Sequence, residues 1–162
     1  MSGAGAPRGA HASGTFDGRP LDVVIVASTW HETVMGGLIA GAERALDEAG
    51  ASHRTVRAVG SFELPILAQA AVRSGADAVV ALGVVIRGGT PHFDYVCRAA
   101  TDGISRVALD SGVPVGFGLL TCDDEAQALD RAGLPGSHED KGYEAAWAAI
   151  DTTAALRSLA GR

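Results

Sequence analysis

Cysteine is scarce in this 162-residue sequence, which contains only Cys97 and Cys122. The two are isolated from each other and show no C-x-x-C spacing, so the sequence suggests neither a disulfide framework nor a zinc site. We therefore expect both thiols to be structural and buried. The histidines, at positions 11, 31, 53, 92 and 138, form no H-x-H or H-E-x-x-H arrangement, so no metal is expected.

Basic clusters and long apolar runs are also missing. The formal net charge is -6 at pH 7, which argues against nucleic acid or an anionic membrane as the main partner. The longest apolar runs fall well short of the ~20 residues that span a bilayer, and no charged-then-apolar signal segment opens the chain. We therefore expect a cytosolic protein that binds any anionic ligand through a local site.

The composition is compatible with one domain. Hydrophobic residues make up 47% of the sequence, which is enough for a chain of this length to bury a core. Residues 1–20 are rich in Gly, Ala and Ser and cannot offset their ordering entropy by burial, so they are predicted to form a flexible tail. The folded domain is expected to cover residues 21–162.

Strand-like and helix-like segments alternate from residue 21 onwards. Predicted strands cover residues 22–27, 55–59, 78–86 and 115–120. Predicted helices cover residues 33–49, 65–74, 93–109 and 142–159, with a short helix that Asp123 or Asp124 caps and that ends near residue 129. The last helix carries Trp147, Ile150, Leu156 and Leu159, which are expected to pack on the sheet.

This alternation predicts the fold class. Short connections between strands and helices imply a four-stranded parallel sheet that is covered by helices on both faces. The expected fold is therefore α/β, a flavodoxin-like three-layer α/β/α sandwich. Ligands of such open sheets bind beyond the carboxyl ends of the strands, and Trp30, Ser61 and His92 each follow a predicted strand.

One segment joins an apolar strand, a glycine turn and a helix start: GVVIRGGTPHFDYVC, residues 83–97. Gly88 and Gly89 allow a tight turn close to a ligand, and the free N–H groups at the start of the next helix would face an anion such as phosphate. His92 lies at the junction, and an imidazole suits proton transfer at neutral pH. Considered alone, His92 would more often be a helix-capping or partly buried histidine.

Three further motifs accompany this segment: GSFELP at residues 60–65, RAG at residues 131–133 and KG at residues 141–142. Together they resemble the 6,7-dimethyl-8-ribityllumazine synthase family over about residues 21–159. The resemblance implies a transferase that condenses 5-amino-6-(D-ribitylamino)uracil with 3,4-dihydroxy-2-butanone 4-phosphate, the penultimate step of riboflavin biosynthesis. The products would be 6,7-dimethyl-8-ribityllumazine, phosphate and water, and no cofactor is implied. Such a reaction needs positioning, an anion site and a proton shuttle.

The resemblance also implies a set of functional residues. His92 would transfer protons. The substrate-binding residues would be Trp30, Ser61, Phe62, Glu63, Val84, Val85, Ile86, Gly89, Thr90, Phe117, Arg131 and Lys141. Trp30 would stack on the heterocycle, residues 61–63 would contact the ribityl chain, and the backbone of residues 84–86 would contact the pyrimidine. From the residues alone, Trp30 could equally fill the core, and Glu63 could complement the positive end of a helix.

The phosphate site and the subunit arrangement are implied in the same way. Gly89 and Thr90 would bind phosphate through N–H groups and a hydroxyl, and the planar guanidinium of Arg131 would pair with it. Without the motif, Arg131 would be interpreted as an ordinary surface residue. Phe117 and Lys141, together with Arg131, would come from a neighbouring subunit, so the resemblance implies a homo-oligomer. Arg87 is assigned to a structural ion pair.

The sequence departs from the family pattern between residues 133 and 141. Relatives that assemble into sixty-subunit shells have a short turn there, roughly G-T-K-A-G-N before K-G, whereas residues 134–140 here form a longer, acidic segment. This difference favours a free homopentamer over a shell. The HED sequence at residues 138–140 is expected to form a solvated loop, because no metal-binding spacing surrounds it.

Three other functions compete with the enzyme. A non-catalytic flavin or lumazine carrier on the same fold would have no use for His92, Thr90 and Arg131. A flavodoxin-like or dinucleotide-binding oxidoreductase is suggested by the fold alone, and it is disfavoured because no G-x-G-x-x-G follows the first strand. A structural shell protein that has lost activity is the third alternative.

Overall fold

The structure, a computed structural model, describes residues 9–161. Its main sheet contains four strands: β3 (Asp22–Ser28), β4 (Ser52–Ala58), β5 (Ala78–Ile86) and β6 (Val115–Cys122). All four are parallel, in the order β4-β3-β5-β6. A small antiparallel hairpin, β1 (Thr15–Phe16) and β2 (Arg19–Pro20), precedes this sheet.

Helices cover both faces of the sheet. They are α1 (Glu32–Ala49), α2 (Leu64–Arg73), α3 (His92–Ser111), α4 (Glu125–Leu129) and α5 (Lys141–Leu159), with a 3-10 turn at Ser61–Glu63 before α2. One buried cluster joins α1 and α5 to one face, and a second joins α2 and α3 to the other. The three-layer α/β/α architecture predicted from the sequence is confirmed.

The central strands explain why the sheet forms. β3 and β5 are almost entirely apolar and buried, as expected for parallel strands that are covered on both faces. Val23 and Ile25 of β3 belong to the cluster under α1 and α5, whereas Val24 and Val26 belong to the cluster under α2 and α3. Alternate side chains therefore hold the two helix layers to the same strand.

The outer elements differ most from the sequence-based boundaries. β4 begins at Ser52, three residues before its predicted start, because it pairs in register with β3 from Asp22 onwards although most of its side chains are exposed. In α5, Trp147 and Ile150 are buried, but Leu156 is exposed and Leu159 is 87% exposed. The expectation that all four apolar residues of α5 pack on the sheet is therefore wrong for its last turn.

Part of the predicted N-terminal tail makes specific contacts. The imidazole of His11 stacks on Trp147 with ring centroids 4.1 Å apart, and its Nδ1 lies 2.9 Å from Asp151. The guanidinium of Arg157 lies 4.1 Å from the ring centroid of Phe16. These contacts attach residues 11–20 to α5, which the Gly- and Ala-rich composition does not indicate. Residues 1–8 lie outside the described residues, and the domain boundary near residue 20 stays a prediction.

Both cysteines are free thiols. Cys122 is buried, whereas Cys97 is only half-buried, so the expected burial holds fully for one of the two. Desolvation raises the pKa of each thiol above its ordinary value, which disfavours the reactive thiolate. Among residues 9–161, no helix is long and apolar enough to cross a membrane.

Candidate active site

A cleft of about 340 Å³ lies beyond the carboxyl ends of β3 and β5. Its lining comes from four corners of the fold: the ends of β3, β4 and β5 and the start of α3. The lining residues are Trp30, His31, Ser61, Phe62, Val84, Val85, Ile86, His92 and Val96. The structure therefore brings together seven residues that the sequence placed in one site, including His92.

The two aromatic side chains of the cleft are open to solvent. Trp30 is 66% exposed and Phe62 is 61% exposed, so neither fills the core. Large exposed aromatic faces are unusual on a protein surface unless they meet a ligand or a partner. Of the two interpretations that the sequence left open for Trp30, this exposure favours contact with a planar ligand.

The end of β5 offers backbone groups to the cleft. Its register with β3 ends at Leu82, whereas its register with β6 continues to Ile86. On the side of β3, residues 84–86 therefore extend beyond the neighbouring strand. The hydroxyl of Ser61 donates a hydrogen bond of 3.3 Å to the carbonyl of Val84. Backbone N–H and C=O groups in this position can recognise the edge of a planar heterocycle.

Gly83 allows the corner after β4 to approach β5 closely. A Cβ at this position would lie 2.8 Å from the Ser61 hydroxyl and 2.9 Å from the side chain of Leu64. Both distances are too short for carbon, so the side chains of Ser61 and Leu64 would have to shift if a larger residue stood here. The cleft therefore owes its shape to a glycine inside a buried strand.

Glu63 has a structural contact in this turn. Its carboxylate accepts a hydrogen bond of 3.0 Å from the N–H of Gly60. A Cβ on Gly60 would lie 3.8 Å from the Trp30 ring, so the turn also packs beside the indole. Glu63 itself does not line the cleft, and its contact with the ribityl chain stays a prediction.

The predicted phosphate loop lies beside His92. Gly89 and Thr90 are exposed, and they precede Pro91, the N-cap of α3, which makes no side-chain capping hydrogen bond. Arg87, just before the loop, donates a hydrogen bond of 2.8 Å to Asp123 and lies 4.2 Å from the ring centroid of Phe93. The contact with Asp123 is the structural ion pair expected for Arg87. The contact with Phe93 joins the end of β5 to the start of α3.

Phe117, Arg131 and Lys141 lie away from the cleft of their own chain. Phe117 pairs with Ala81 in the first half of β6 and is 46% exposed beside α3. The guanidinium of Arg131 donates a hydrogen bond of 2.9 Å to the carbonyl of Gln127. Lys141 begins α5. One chain therefore presents the heterocycle-binding part of the predicted site without these three groups.

The acidic segment before Lys141 is not simply a solvated loop. The side chain of Glu139 is only 12% exposed and its carboxylate lies 3.0 Å from Lys141. Asp140 accepts a hydrogen bond of 3.0 Å from the N–H of Tyr143 and pairs with Arg44 at 2.6 Å. Only His138 of the three is fully exposed. The expectation of a solvated HED turn is therefore wrong for Glu139 and Asp140, because both have cationic partners.

Sequence reasoning missed two residues of the cleft, His31 and Val96. Val96 follows His92 by one helical turn, so the spacing of α3 could have indicated it. His31 directly follows Trp30 at the end of β3, a position that the rule for ligand sites in parallel sheets would have suggested. Within the part of the chain that the structure describes, no group of three or more His, Cys, Asp or Glu is placed to hold a metal ion.

Comparison with known proteins agrees with this geometry. The family described as 6,7-dimethyl-8-ribityllumazine synthase matches residues 20–157. A protein of that name from Leifsonia xyli subsp. xyli is 66% identical over 161 residues, which cover 99% of this chain and 100% of the relative. Proteins of the same name from Nocardioides sp. and Clavibacter michiganensis subsp. michiganensis are 61% and 57% identical, and each alignment covers at least 97% of both chains.

Proposed function

Since the chain belongs to the 6,7-dimethyl-8-ribityllumazine synthase family, we propose that its cleft performs the condensation for which the family is named. The substrates are 5-amino-6-(D-ribitylamino)uracil and 3,4-dihydroxy-2-butanone 4-phosphate. The products are the lumazine, phosphate and water, so the enzyme is a transferase. No cofactor takes part, because every step is an addition, an elimination or a proton transfer.

The observation that carries the proposal is the open backbone edge of β5 beside two exposed aromatic rings. Residues 84–86 extend past β3, and a pyrimidine edge can pair with such N–H and C=O groups. Trp30 lies at the same cleft and can stack on the face of the ring. A planar, hydrogen-bonding heterocycle fits this combination better than an aliphatic or a purely anionic ligand does.

His92 is the proposed proton-transfer residue. It begins α3 within the same cleft, two positions after Thr90. An amine adds to the ketone, the resulting imine loses phosphate, and a second amine closes the ring. Each step moves a proton near neutral pH, which an imidazole can accept and donate. Holding both substrates in one cleft supplies the larger share of the rate enhancement.

The phosphate of the second substrate is proposed to bind at the start of α3. Gly89 and Thr90 are exposed there, and the first N–H groups of a helix favour an anion. Arg131 is proposed to complete the site from a neighbouring subunit, together with Phe117 and Lys141. Support comes from the position of these three residues, which lie outside the cleft of their own chain.

This arrangement makes a homo-oligomer part of the proposed function, with five-fold closure favoured. Small molecules are the only other proposed partners, and neither nucleic acid nor a membrane has a role. We place the reaction in the cytoplasm, which the two free thiols support because such compartments keep cysteines reduced.

One assay tests the function directly. The purified chain is incubated with both substrates, and formation of the lumazine is followed by its absorbance. Turnover that depends on both substrates and releases one phosphate per lumazine is the expected result. Binding of the aminouracil without turnover would instead indicate a carrier and would contradict the proposal.

A second assay tests the shared site. At butanone concentrations below the KM, the His92→Ala and Arg131→Ala chains should each be weakly active, whereas a co-expressed mixture should form some interfaces with both native residues. In a random equal mixture about a quarter of the interfaces would be intact, so about a quarter of wild-type turnover should return. Sites built within one chain would show no such recovery.

A further inference from the structure

His31 is the second imidazole of the cleft. It follows Trp30 directly and lines the same cavity as His92. The two histidines belong to opposite layers of the fold: His31 precedes α1, which packs on one face of the sheet, and His92 begins α3, which packs on the other. Because β3 and β5 are adjacent strands, the two imidazoles flank one site from its two sides.

The backbone of His31 adopts a conformation that residues other than glycine rarely adopt. Its φ is 60° and its ψ is 63°, in the left-handed region. Such a conformation persists only where the surrounding structure enforces it, and it is concentrated at functional sites. Asp17 is the other non-glycine residue with positive φ in residues 9–161, and it lies in the turn between β1 and β2, where this is ordinary.

Helix capping does not account for the imidazole. His31 occupies the N-cap position of α1, yet its side chain makes no capping hydrogen bond. Asparagine both tolerates left-handed backbone and caps helices through its side chain. Histidine also tolerates this backbone, and because the imidazole makes no cap it remains available to the cleft that it lines.

We propose that His31 is a second acid–base residue of the reaction and acts opposite His92. The inference rests on the proposed function, because it needs the phosphate-releasing step. In that step a proton leaves the carbon next to the imine, and the electron pair of the C–H bond becomes a C=C bond. The C–O bond to phosphate breaks with its electron pair on oxygen. One imidazole accepts the carbon-bound proton, and the other donates a proton to the departing oxygen.

The position of the phosphate loop assigns the two roles. His92 lies two positions after Thr90, beside the proposed phosphate, so it donates to the departing oxygen. His31 lies on the other side of the cleft and accepts the proton from carbon. Two imidazoles on opposite sides can act on one substrate without competing for the same proton.

Several other ionisable groups lie on the ends of the elements that meet at this corner. They are Glu32 at the start of α1, Arg57 near the end of β4, Glu63 in the 3-10 turn, and His92 and Asp94 in the first turn of α3. Asp94 lies 3.5 Å from Arg87. Glu63 accepts a hydrogen bond from Gly60, and Arg57 donates one of 2.8 Å to the carbonyl of Ser28, so both have backbone partners.

The test uses the full-length His31→Asn and His31→Gly variants, because both replacements accommodate the left-handed backbone. Turnover with saturating substrates is measured from pH 5.5 to 8.5. We expect turnover to fall roughly ten- to hundredfold in both variants, with loss of one ionisation from the pH profile. Added imidazole should restore part of the turnover of His31→Gly. Thermal unfolding should show that both variants are folded.

His53→Asn is the matched control, since His53 lies on β4, pairs with Asp47 at 3.0 Å and does not line the cleft. Its turnover should equal that of the wild type. Wild-type turnover and pH profile in both His31 variants would overturn the role of His31. A change confined to KM would also overturn it, because it would show binding alone. A wild-type chain that forms no lumazine would instead refute the proposed function.

Discussion

The ammonium of Lys141 and the carboxylate of Glu139 lie 3.0 Å apart, and the same carboxylate lies 3.9 Å from the guanidinium of Arg131. One buried anion thus lies beside two cations that are proposed to serve the phosphate site of a neighbouring subunit. Burial lowers the pKa of Lys141, but hydrogen bonds to Glu144 and Glu139 outweigh it, so the pKa is raised and the ammonium stays charged. Glu139 therefore orients both cations and partly neutralises them.

Replacement of Glu139 by glutamine should show how much its charge contributes to stability and how much it weakens phosphate binding by the two cations. We expect the free energy of unfolding to fall by about 1–3 kcal/mol, because a charged hydrogen bond in a mostly buried cluster is weakened. Inhibition by inorganic phosphate should become stronger, because the two cations lose a competing anion. Urea unfolding and phosphate inhibition measure the two effects.

Glu144→Gln is the matched control for that experiment. Glu144 also pairs with Lys141, at 2.7 Å, but its side chain is more exposed. Both effects should therefore be smaller than those of Glu139→Gln. An unchanged inhibition constant for inorganic phosphate in Glu139→Gln would show that the charge of Glu139 does not act on the phosphate site.

Arg131→Ala should weaken use of the butanone phosphate selectively. The substitution removes a charge-assisted pair to phosphate, while the open edge of β5 and Trp30 remain for the aminouracil. Steady-state kinetics with each substrate varied in turn should show a higher KM for the butanone alone. Inorganic phosphate should compete with the butanone in the wild type but not in Arg131→Ala. An equal rise for both substrates would contradict the assignment of Arg131.

His92→Ala should slow turnover roughly ten- to a thousandfold, because a positioned acid–base group is lost while substrate positioning survives. Binding of the aminouracil, measured by calorimetry, should change little. The double variant with His31→Asn should be slower than either single variant if the two imidazoles act on different protons. Wild-type turnover of His92→Ala across neutral pH would show that this imidazole transfers no essential proton.

The sequence predicted the central part of the fold well because β3 and β5 are apolar along their whole length. It placed β5 at residues 78–86, which the structure reproduces. The start of the edge strand β4 was harder, because polar residues such as His53 and Arg54 carry no apolar pattern and pair only through backbone register with β3. Boundaries that depend on tertiary pairing cannot be predicted from periodicity alone.

The sequence likewise predicted part of the candidate site and missed another part. Trp30, Ser61 and His92 follow strands, so the topology of a parallel sheet brings them together. His31 was missed although it directly follows Trp30 at the end of β3, because none of the motifs included it and its left-handed backbone is not displayed by a residue pattern. The pairing of Glu139 with Lys141 was missed because the HED sequence is typical of a solvated turn, and only the fold shows that cations lie beside it.

His138 and Asp130 form an exposed pair whose pH dependence has a defined direction. A hydrogen bond and then charge attraction from Asp130 raise the pKa of His138, and the same hydrogen bond lowers the pKa of Asp130. The contribution of His138 to the free energy of unfolding is therefore present at mildly acidic pH, and it is lost as the pH rises through the raised pKa of His138. That of Asp130 is lost as pH falls through its lowered pKa.

Imidazole proton NMR of wild type and Asp130→Asn tests this pair. Removing the carboxylate should move the titration midpoint of His138 to lower pH. The ring protons of His53, which pairs with Asp47 instead, should keep the same chemical shifts at a fixed pH in both proteins. A midpoint of His138 that does not move would show that the pair does not form in solution.

The last prediction concerns the size of the assembly. Each proposed site needs Phe117, Arg131 and Lys141 from a neighbour, so the contacts between chains are heterologous and must close into a ring. Five-fold closure gives about 82 kDa, five times the 16.4 kDa of one chain, whereas a sixty-subunit shell would have a mass of about 984 kDa. Residues 134–140 favour the pentamer, because Glu139 and Asp140 hold this longer segment against Lys141 and Arg44. Light scattering at micromolar protein should therefore give a mass near that of five chains. A mass near one megadalton would refute the free pentamer, and an active monomer would overturn the shared site itself.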